Sequence, residues 1–455
     1  MFKNIKYSEN TGLILLTVIR KDGGVFMENT IKKESMWRDE NGKFYYGWVV
    51  VIITSILCMF SYCGIVSVAG LFTLAVSDAL DVSIGQFTMH QTILSVVSMI
   101  ALAVCTRFFT QKHLKKTVVV SMIIGCIGFG GFAMAHSLSQ IYIFAIAFGI
   151  SFGLATMTPS QILVSNWFGE KYRAKAMSIW LSIITIGPAA MVPVINAIIL
   201  GPGWRMAYAV LGIGLAICIP LVLIFVKFSP EEKGIKRVGD VTDGSDMAVK
   251  DAGGMKGIMF KDAIKKPWTW LVLLSITFFT IGSGAILSHG VATVVMAGYS
   301  QTFAANLLSG SLLIMVILCL VAGIIIDKIG MFASVLGAGI CFIACYVGLA
   351  FMTYMPGVGM VLYFVGYLIG VMHVNLISPL LLTHVFGDKD IGSFLGWHNI
   401  LLSLGVAFGP GLVGILFDAT GAYMIPWIIM GILTVIGVVI RCIAAKQKTY
   451  TDEEA

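Results

Sequence analysis

Charge is scarce in this chain of 455 residues: Asp, Glu, Lys and Arg make up 12% of it, about half the proportion usual in soluble domains. Hydrophobic residues make up 58%. A soluble protein of this length would need a charged surface that the sequence does not supply. The composition therefore excludes a disordered chain, a coiled coil and a nucleic-acid-binding protein, and it predicts a protein that crosses a membrane many times.

Patterns typical of catalysis and metal binding are also missing from the sequence. There is no HExxH motif, no glycine-rich phosphate loop and no nucleotide-binding domain, and the nine cysteines fall in or at the ends of apolar stretches. We therefore expect neither an enzyme nor an ATP-driven pump, and no cofactor or metal. An alternative from another class is a membrane nutrient sensor, although such sensors typically carry an added soluble domain.

Twelve apolar windows are long enough to cross a bilayer, and none contains Asp, Glu, Lys or Arg. They lie at residues 48–74, 84–106, 117–135, 138–165, 177–200, 206–226, 267–297, 301–326, 331–354, 358–386, 391–417 and 422–440. All charged residues are thus expected in loops and tails. With a cytoplasmic N-terminus, 29 of the 30 lysines and arginines lie on the cytoplasmic side and Arg205 lies outside, which predicts that both termini are cytoplasmic.

The two halves of the chain repeat each other at an offset of about 220 residues. Trp48 falls on Trp268 and Pro159 on Pro379, in the same order along both halves. The hydrophilic segment between the copies has mixed charge and is expected to be a solvated linker. The predicted organisation is a cytoplasmic tail at 1–46, a six-helix bundle at 47–226, a linker at 227–266, a second bundle at 267–441 and a tail at 442–455.

The first 26 residues have two interpretations. An apolar octet at 11–18 is too short to span a membrane and lacks a signal-peptide cleavage site. Gly23 and Gly24 stand just before Met27, where their codons would resemble a bacterial ribosome-binding site. Either translation starts at Met27 or Met36 and residues 1–26 are not part of the natural protein, or these residues form a disordered tail.

Six spans, a cytoplasmic linker and six more spans in parallel repeat form a layout that resembles the major facilitator superfamily. The second half also carries the Gly-x-x-x-Asp-[Arg/Lys]-x-Gly signature of that superfamily, at Gly323, Asp327, Lys328 and Gly330, whereas the first-half copy at 103–110 is degenerate. The resemblance implies an all-α membrane protein of two six-helix bundles. It also implies that these four residues latch the two bundles together in one state.

Five short stretches resemble the monocarboxylate and oxalate/formate transporter group. They lie at 46–48, 166–177, 203–205, 229–234 and 418–423. The resemblance implies a secondary transporter that moves a small organic carboxylate by alternating access, with proton symport or anion exchange. An arginine common in span eight of that group is missing here, which argues against a dianion such as oxalate. The alternative is a carrier or exporter of a larger neutral or apolar metabolite.

Because the twelve windows hold no carboxylate, histidines are the ionisable groups available for binding or coupling. His373 lies near the middle of span ten, and His398 occupies the place of a basic residue in span eleven of the oxalate/formate group. Each is expected either to bind the substrate or to pack between helices. The other predicted binding residues are polar or aromatic: Trp397, Asn399, Asn375, Tyr62 and Gln161.

Two Gly-Pro pairs lie in the middle of spans, Gly187-Pro188 in the fifth and Gly409-Pro410 in the eleventh. Proline removes a hydrogen bond inside a helix, so each pair predicts a kink. The first pair also resembles part of an antiporter motif, but the glycines that should follow it are missing. The predicted partners are a small organic anion, a proton or counter-anion, and the lipid of a cell membrane, with a monomer as the working unit.

Overall fold

The computed structural model describes residues 35–39, 41–105, 108–239, 257–387 and 389–447. In these residues, eleven helices are long and apolar enough to cross a membrane, and two shorter apolar helices follow each other at the start of the first half. The two short helices together occupy the first predicted span. The prediction of an all-α membrane protein is confirmed, while the two interpretations of residues 1–26 fall outside the described residues.

The first half consists of eight helices, because two of its spans are interrupted. They are α1 (Gly47–Tyr62), α2 (Ala69–Leu80), α3 (Ile84–Cys105), α4 (Leu114–Met134), α5 (Leu138–Ala155), α6 (Met157–Trp167), α7 (Glu170–Leu200) and α8 (Trp204–Phe225). A short helix, α9 (Phe260–Ala263), precedes the second half. The second half contains α10 (Pro267–Met296), α11 (Gln301–Ile329), α12 (Met331–Phe351), α13 (Pro356–Gly370), α14 (Ser378–Phe386), α15 (Ile391–Thr420) and α16 (Met424–Lys446).

Local chemistry explains where several of these helices begin and end. Ser137 and Ser300 precede α5 and α11, and each hydroxyl accepts a hydrogen bond from a backbone N–H three residues later. Gly421 ends α15 with a φ of +69°, and Gly330 joins α11 to α12 with a φ of +84°. Residues with a side chain rarely adopt these angles, so glycine at both positions favours the turns.

Two of the crossings contain a turn of π-helix, at Cys63–Ser67 between α1 and α2 and at His373–Ile377 between α13 and α14. In the second turn, the backbone N–H of Ser378 donates to the carbonyl of His373, five residues earlier. A π-turn holds one residue more than an α-turn, so it changes the direction in which the following side chains point.

The linker is less solvated than its composition predicts, because both of its described ends are docked. Its first end pairs with the loop after α6, where the N–H of Gly169 donates to the carbonyl of Val238 over 2.9 Å. Its second end pairs with the loop after α14, where the N–H of Ile258 donates to the carbonyl of Phe386 over 3.0 Å. Both loops contain the same Phe-Gly pair, at 168–169 and 386–387, so the two ends dock at equivalent positions of the two halves.

The prediction that every charged residue lies in a loop or tail is wrong: residues such as Lys115, Lys328 and Asp418 lie in the end turns of helices, and Arg441 is buried within the last helix. The last helix continues to Lys446, and the Arg441 side chain within it is 1% exposed. From hydropathy alone, Arg441 stands just beyond the last predicted span, so it is one of the 29 basic residues assigned to the cytoplasmic side. Folding supplies it with hydrogen-bond partners from neighbouring helices, which lowers the cost of burying the charge.

Candidate functional site

The two halves are joined on one face of the molecule, where the loops after α2, α7, α10 and α15 lie; we call it the closed side. Here α15 packs against α3, α11 against α7 and α10 against α2. Asp418 of α15 accepts a hydrogen bond from the N–H of Gly85 over 3.0 Å, and Thr92 donates to the carbonyl of Ala407 over 2.8 Å. The face with both ends of the linker is called the linker side.

Close backbone contact on the closed side depends on glycine. A Cβ on Gly414 of α15 would stand 2.4 Å from the hydroxyl oxygen of Thr88 and 2.7 Å from the Cα of Gly85. Side chains at this crossing would separate the helices. The contact therefore requires a small residue in α15 facing a small residue in α3.

The face of α15 that contacts α3 on the closed side is uncovered toward the linker side. Counting back from Ala407 in steps of three or four residues, as helical geometry requires, gives Ser403, Asn399, Gly396 and Gly392. Ser403 and Asn399 are exposed, and a Cβ on either glycine would meet no heavy atom within 4 Å. This face points at the first half where the halves touch, so its uncovered part lines a gap between them.

Asn375 is a second exposed amide on the same side of the second half. It lies in the π-turn, and its Nδ2 is 3.6 Å from the Sδ of Met315 in α11. Tyr367 and Val371 precede it at steps of four residues on the same helical face. Asn375 and Asn399 are thus both exposed amides in the part of the second half nearest the linker side, and we assign Asn375 to the gap from this position.

The first half contributes small hydroxyl side chains that the sequence did not single out. Ala189 of α7 accepts a hydrogen bond from the Ser309 hydroxyl of α11 over 2.6 Å, which fixes the face of α7 that meets the second half. Thr185 and Ser182 continue that face toward the linker side and are partly buried. Their signal was a three-residue spacing of two hydroxyl side chains in an otherwise apolar span.

Tyr62 and Gln161, the two predicted residues of the first half, are placed differently. Tyr62 ends α1 directly before the π-turn, is partly buried and stacks on Phe152 with ring centroids 6.4 Å apart. Gln161 is exposed in α6, beyond the break at Thr156. No contact described for Gln161 joins it to the other predicted residues.

Trp397, His398 and Asn399 do not form one cluster, although they are consecutive. Each residue turns a helix by about 100°, so Trp397 and Asn399 point in nearly opposite directions. Trp397 packs edge-on against Trp270, with ring centroids 5.5 Å apart, and against Phe260 of the linker. His398 is buried; its Nδ1 is 3.4 Å from the Asn399 Oδ1, and its Nε2 has no partner.

His373 lies within the second half and faces away from the gap. Its Nε2 is 2.9 Å from the carbonyl of Val335, and its Nδ1 is 3.0 Å from the Nη1 of Arg441. Its ring also stacks on Phe279 with centroids 4.3 Å apart. Arginine only donates, so Nδ1 is the acceptor, and the ring is neutral with its proton on Nε2. Both nitrogens are thus engaged in this conformation.

The predicted latch and kinks map onto definite helical positions. Gly323, Asp327 and Lys328 lie in α11 before Gly330, and Lys328 is exposed. The side chain of Asp327 falls outside the described part of the structure, so the latch stays a prediction.

The glycines of the predicted kinks lie at helix crossings. Gly187 faces Met59 of α1, and a Cβ on Gly409 would stand 2.1 Å from the carbonyl oxygen of Ile281 in α10. Both α7 and α15 continue through Pro188 and Pro410. What the structure shows at these pairs is close packing of helices, and kinking remains a prediction.

Comparison with known proteins gives two distant relatives by sequence. A hexuronate transporter of Bacillus subtilis (strain 168) is 22% identical over 346 residues, which cover 70% of this chain and 76% of that protein. A probable L-galactonate transporter of Escherichia coli (strain K12) is 22% identical over 400 residues, covering 82% of this chain and 84% of that protein.

Solved structures share the fold. A bacterial homolog of the human lysosomal transporter Spinster, inward-facing and unoccupied, matches with a TM-score of 0.69 at 13% identity, over 89% of this chain and 98% of that chain. A nucleoside transporter matches with a TM-score of 0.69 at 11% identity, over 89% of this chain and 100% of that chain. At these identities the likeness concerns the fold alone.

The sequence profile of one family covers most of the chain. The profile of the Major Facilitator Superfamily matches residues 54–384. The superfamily that the repeat and the Gly323–Gly330 signature predict is therefore confirmed. This chain belongs to the Major Facilitator Superfamily, and it is a multi-pass membrane transporter and not an enzyme.

Proposed function

We propose that this protein carries a small organic anion of the sugar-acid type by alternating access, through the gap between its halves. The observation that carries the proposal is the continuous face of α15. That face is covered by the first half at Ala407 and Gly414 and uncovered at Asn399 and Ser403. A face covered at one end and open at the other is expected of a carrier in one of its two states.

The chemistry of the gap supports a substrate rich in hydroxyl groups. Both relatives found by sequence are named for sugar acids, which combine one carboxylate with several hydroxyls. The side chains along the gap are amides and hydroxyls, namely Asn375, Asn399, Ser403, Ser182 and Thr185. Such groups both donate and accept hydrogen bonds, so they suit hydroxyls as well as a carboxylate.

The distribution of lysine and arginine supports an orientation. With the N-terminus in the cytoplasm, 29 of the 30 basic residues lie on the cytoplasmic side of the predicted spans. We place the protein in the cell membrane with both termini and the linker in the cytoplasm. Arg441 lies within the last helix and not in the tail, which leaves this bias almost unchanged. In this orientation the gap opens toward the cytoplasm.

Coupling to a proton or to a second anion needs a group that can change its state during transport. His398 is the better candidate of the two predicted histidines, because its Nε2 is unpartnered and its neighbour Asn399 lines the gap. A second proton on His373 would place two cations 3.0 Å apart, at Nδ1 and the Arg441 guanidinium. Proton symport through His398 and anion exchange both fit this arrangement.

A neutral metabolite is the second candidate substrate. The specific observation in its favour is that the side chains named along the gap all lack formal charge. A neutral solute would be bound by the same amides and hydroxyls and would show no dependence on membrane potential when carried alone. The two candidates therefore differ in electrical behaviour as well as in substrate.

Uptake by proteoliposomes tests the proposal. Vesicles containing the purified full-length protein would be offered labelled hexuronates and hexonates, their neutral parent sugars and short monocarboxylates, with and without a pH gradient. We expect saturable uptake of at least one sugar acid. Asn399→Ala should raise its KM about tenfold, the effect of losing a hydrogen bond to a charged group.

The control is Asn306→Ala, which removes an exposed asparagine in the second turn of α11, on the closed side. Its KM should equal that of the unmodified protein. Uptake of a neutral parent sugar without uptake of any acid would replace the proposal by the neutral candidate. An unchanged KM in Asn399→Ala would remove this face of α15 from the binding site.

A further inference from the structure

The most unusual group in the membrane-spanning part of the described structure is the guanidinium of Arg441. Its Nε donates to the Ser275 hydroxyl over 3.0 Å, and its Nη1 lies 3.1 Å from the carbonyl and 3.0 Å from the Nδ1 of His373. The guanidinium also lies 4.1 Å from the centre of the Phe279 ring. Two helices, α10 and α16, and a π-turn thus hold one cation inside the second half.

This cation lacks a counter-charge among its described contacts, which are a hydroxyl, an imidazole, a carbonyl and an aromatic ring. Its Nη2 is buried and has no hydrogen-bond partner. Arginine keeps its proton in proteins, so the charge persists. In a medium of low polarity an uncompensated charge acts over longer distances than at a surface, and it favours an anion nearby.

The π-turn connects this cation with the gap. The carbonyl of His373 accepts hydrogen bonds from Arg441, from the Ser378 N–H and from the Ser378 hydroxyl, the last over 2.5 Å. Two residues further along the same turn is Asn375, the exposed amide that we assign to the gap. The dimensions of a helical turn put a ligand bound at Asn375 about 10 Å from the guanidinium.

We propose that Arg441 is a specificity-determining residue: its buried charge makes the gap prefer an anion, and its fork of donors holds the π-turn that presents Asn375. The inference deepens the proposed function and rests on it. At about 10 Å and an effective dielectric constant near 20, one unit charge changes the affinity for a monoanion by roughly tenfold or more. The ligand therefore need not touch the guanidinium.

The test compares an anion with its neutral counterpart in the full-length protein. Uptake of a hexuronate and of its methyl ester would be measured for the unmodified protein, for Arg441→Gln and for Arg441→Lys. We expect Arg441→Gln to raise the KM of the acid about tenfold while that of the ester stays within about twofold. Arg441→Lys keeps the charge and should keep the preference for the acid, with slower turnover because the fork is lost.

A second variant leaves Arg441 in place and cancels its charge. Ser275→Asp puts a carboxylate next to the Nε and should lower the preference for the acid as Arg441→Gln does, even if Arg441→Gln fails to fold. The control is Arg205→Gln, which removes an arginine that stacks on Trp204 at 4.2 Å on the closed side. We expect this variant to keep the preference for the acid unchanged.

The outcomes separate the two proposals. If the unmodified protein carries acids and Arg441→Gln or Ser275→Asp keeps the preference for the acid, this inference is overturned and the proposed function stands. Equal losses for acid and ester show a purely structural role and also overturn it. Unmodified protein that carries only esters or other neutral solutes overturns both proposals.

Discussion

Asp418, near the end of α15, accepts a hydrogen bond from the N–H of Gly85 in α3, which lies 333 positions earlier in the chain. The Ser83 hydroxyl donates to the same carboxylate over 2.5 Å. The first N–H groups of a helix have no partner within it, and the helix dipole makes that end positive. Asp418 therefore caps α3 from the other half of the molecule and holds the closed side together.

Removal of this cap should shift the balance between the two states. We expect Asp418→Ala to favour the state open on the closed side by about 2 kcal/mol, the usual contribution of a hydrogen bond to a charged group. The measurement is the rate at which a thiol reagent applied from that side labels Thr92→Cys, in a background without the native cysteines. Asp418→Asn keeps an acceptor and should have a smaller effect, and equal labelling in all three proteins would contradict the capping role.

The crossing of α3 and α15 should tolerate no side chain at Gly414. Its Cβ would stand 2.7 Å from the Cα of Gly85, so Gly414→Ala should keep the helices apart and lower the transport rate at least tenfold. The matched control is Gly337→Ala in α12, an exposed position where the added methyl meets no atom within 4 Å. Equal transport by the two variants would show that this crossing does not need to close.

His398 gives a prediction about the proposed substrate and coupling site. We expect His398→Ala to abolish uptake of the anion while the protein still inserts and elutes as a monodisperse species. The reason is that its unpartnered Nε2 is the free imidazole nitrogen beside Asn399. Removal of the exposed loop histidine in His136→Ala should leave uptake unchanged. Full activity of His398→Ala would exclude the residue from binding and coupling.

The docking of the linker should depend on the ionisation of Asp390. Hydrogen bonds from the Ser393 hydroxyl and the Phe260 N–H hold the pKa of this carboxyl below its ordinary value of 3.8. The ionised form stabilises the docked linker, so this contribution is complete above about pH 4 and is lost as the pH falls below that value. Hydrogen exchange of residues 257–263, corrected for intrinsic rates, should therefore be constant between pH 5 and pH 7.

Substitution of Asp390 tests the same contribution to linker docking at neutral pH. Asp390→Ala should speed exchange in that segment, whereas Asp390→Asn, which still accepts from the Phe260 N–H, should have an intermediate effect. Exchange that is the same in all three proteins would show that the contacts of Phe260 with Phe394 and Trp397 suffice for docking.

The sequence predicted the crossings because the cost of charge in hydrocarbon acts on each residue separately. A long apolar window without Asp, Glu, Lys or Arg indicates a span independently of the rest of the chain. The order of matching residues along the two halves indicates the repeat. The polar residues Asn375 and Asn399 could be proposed for the same reason. Each stands in an apolar helix, where an amide needs a partner.

Tertiary structure decided which way each of those residues points. Trp397, His398 and Asn399 are neighbours in sequence, but the packing of α15 turns only Asn399 to the gap and leaves Trp397 against the linker. It also decided that Arg441 is buried, since the cost of burying a charge depends on partners from other helices. Those partners, Ser275, Phe279 and His373, are brought together only when the second half folds.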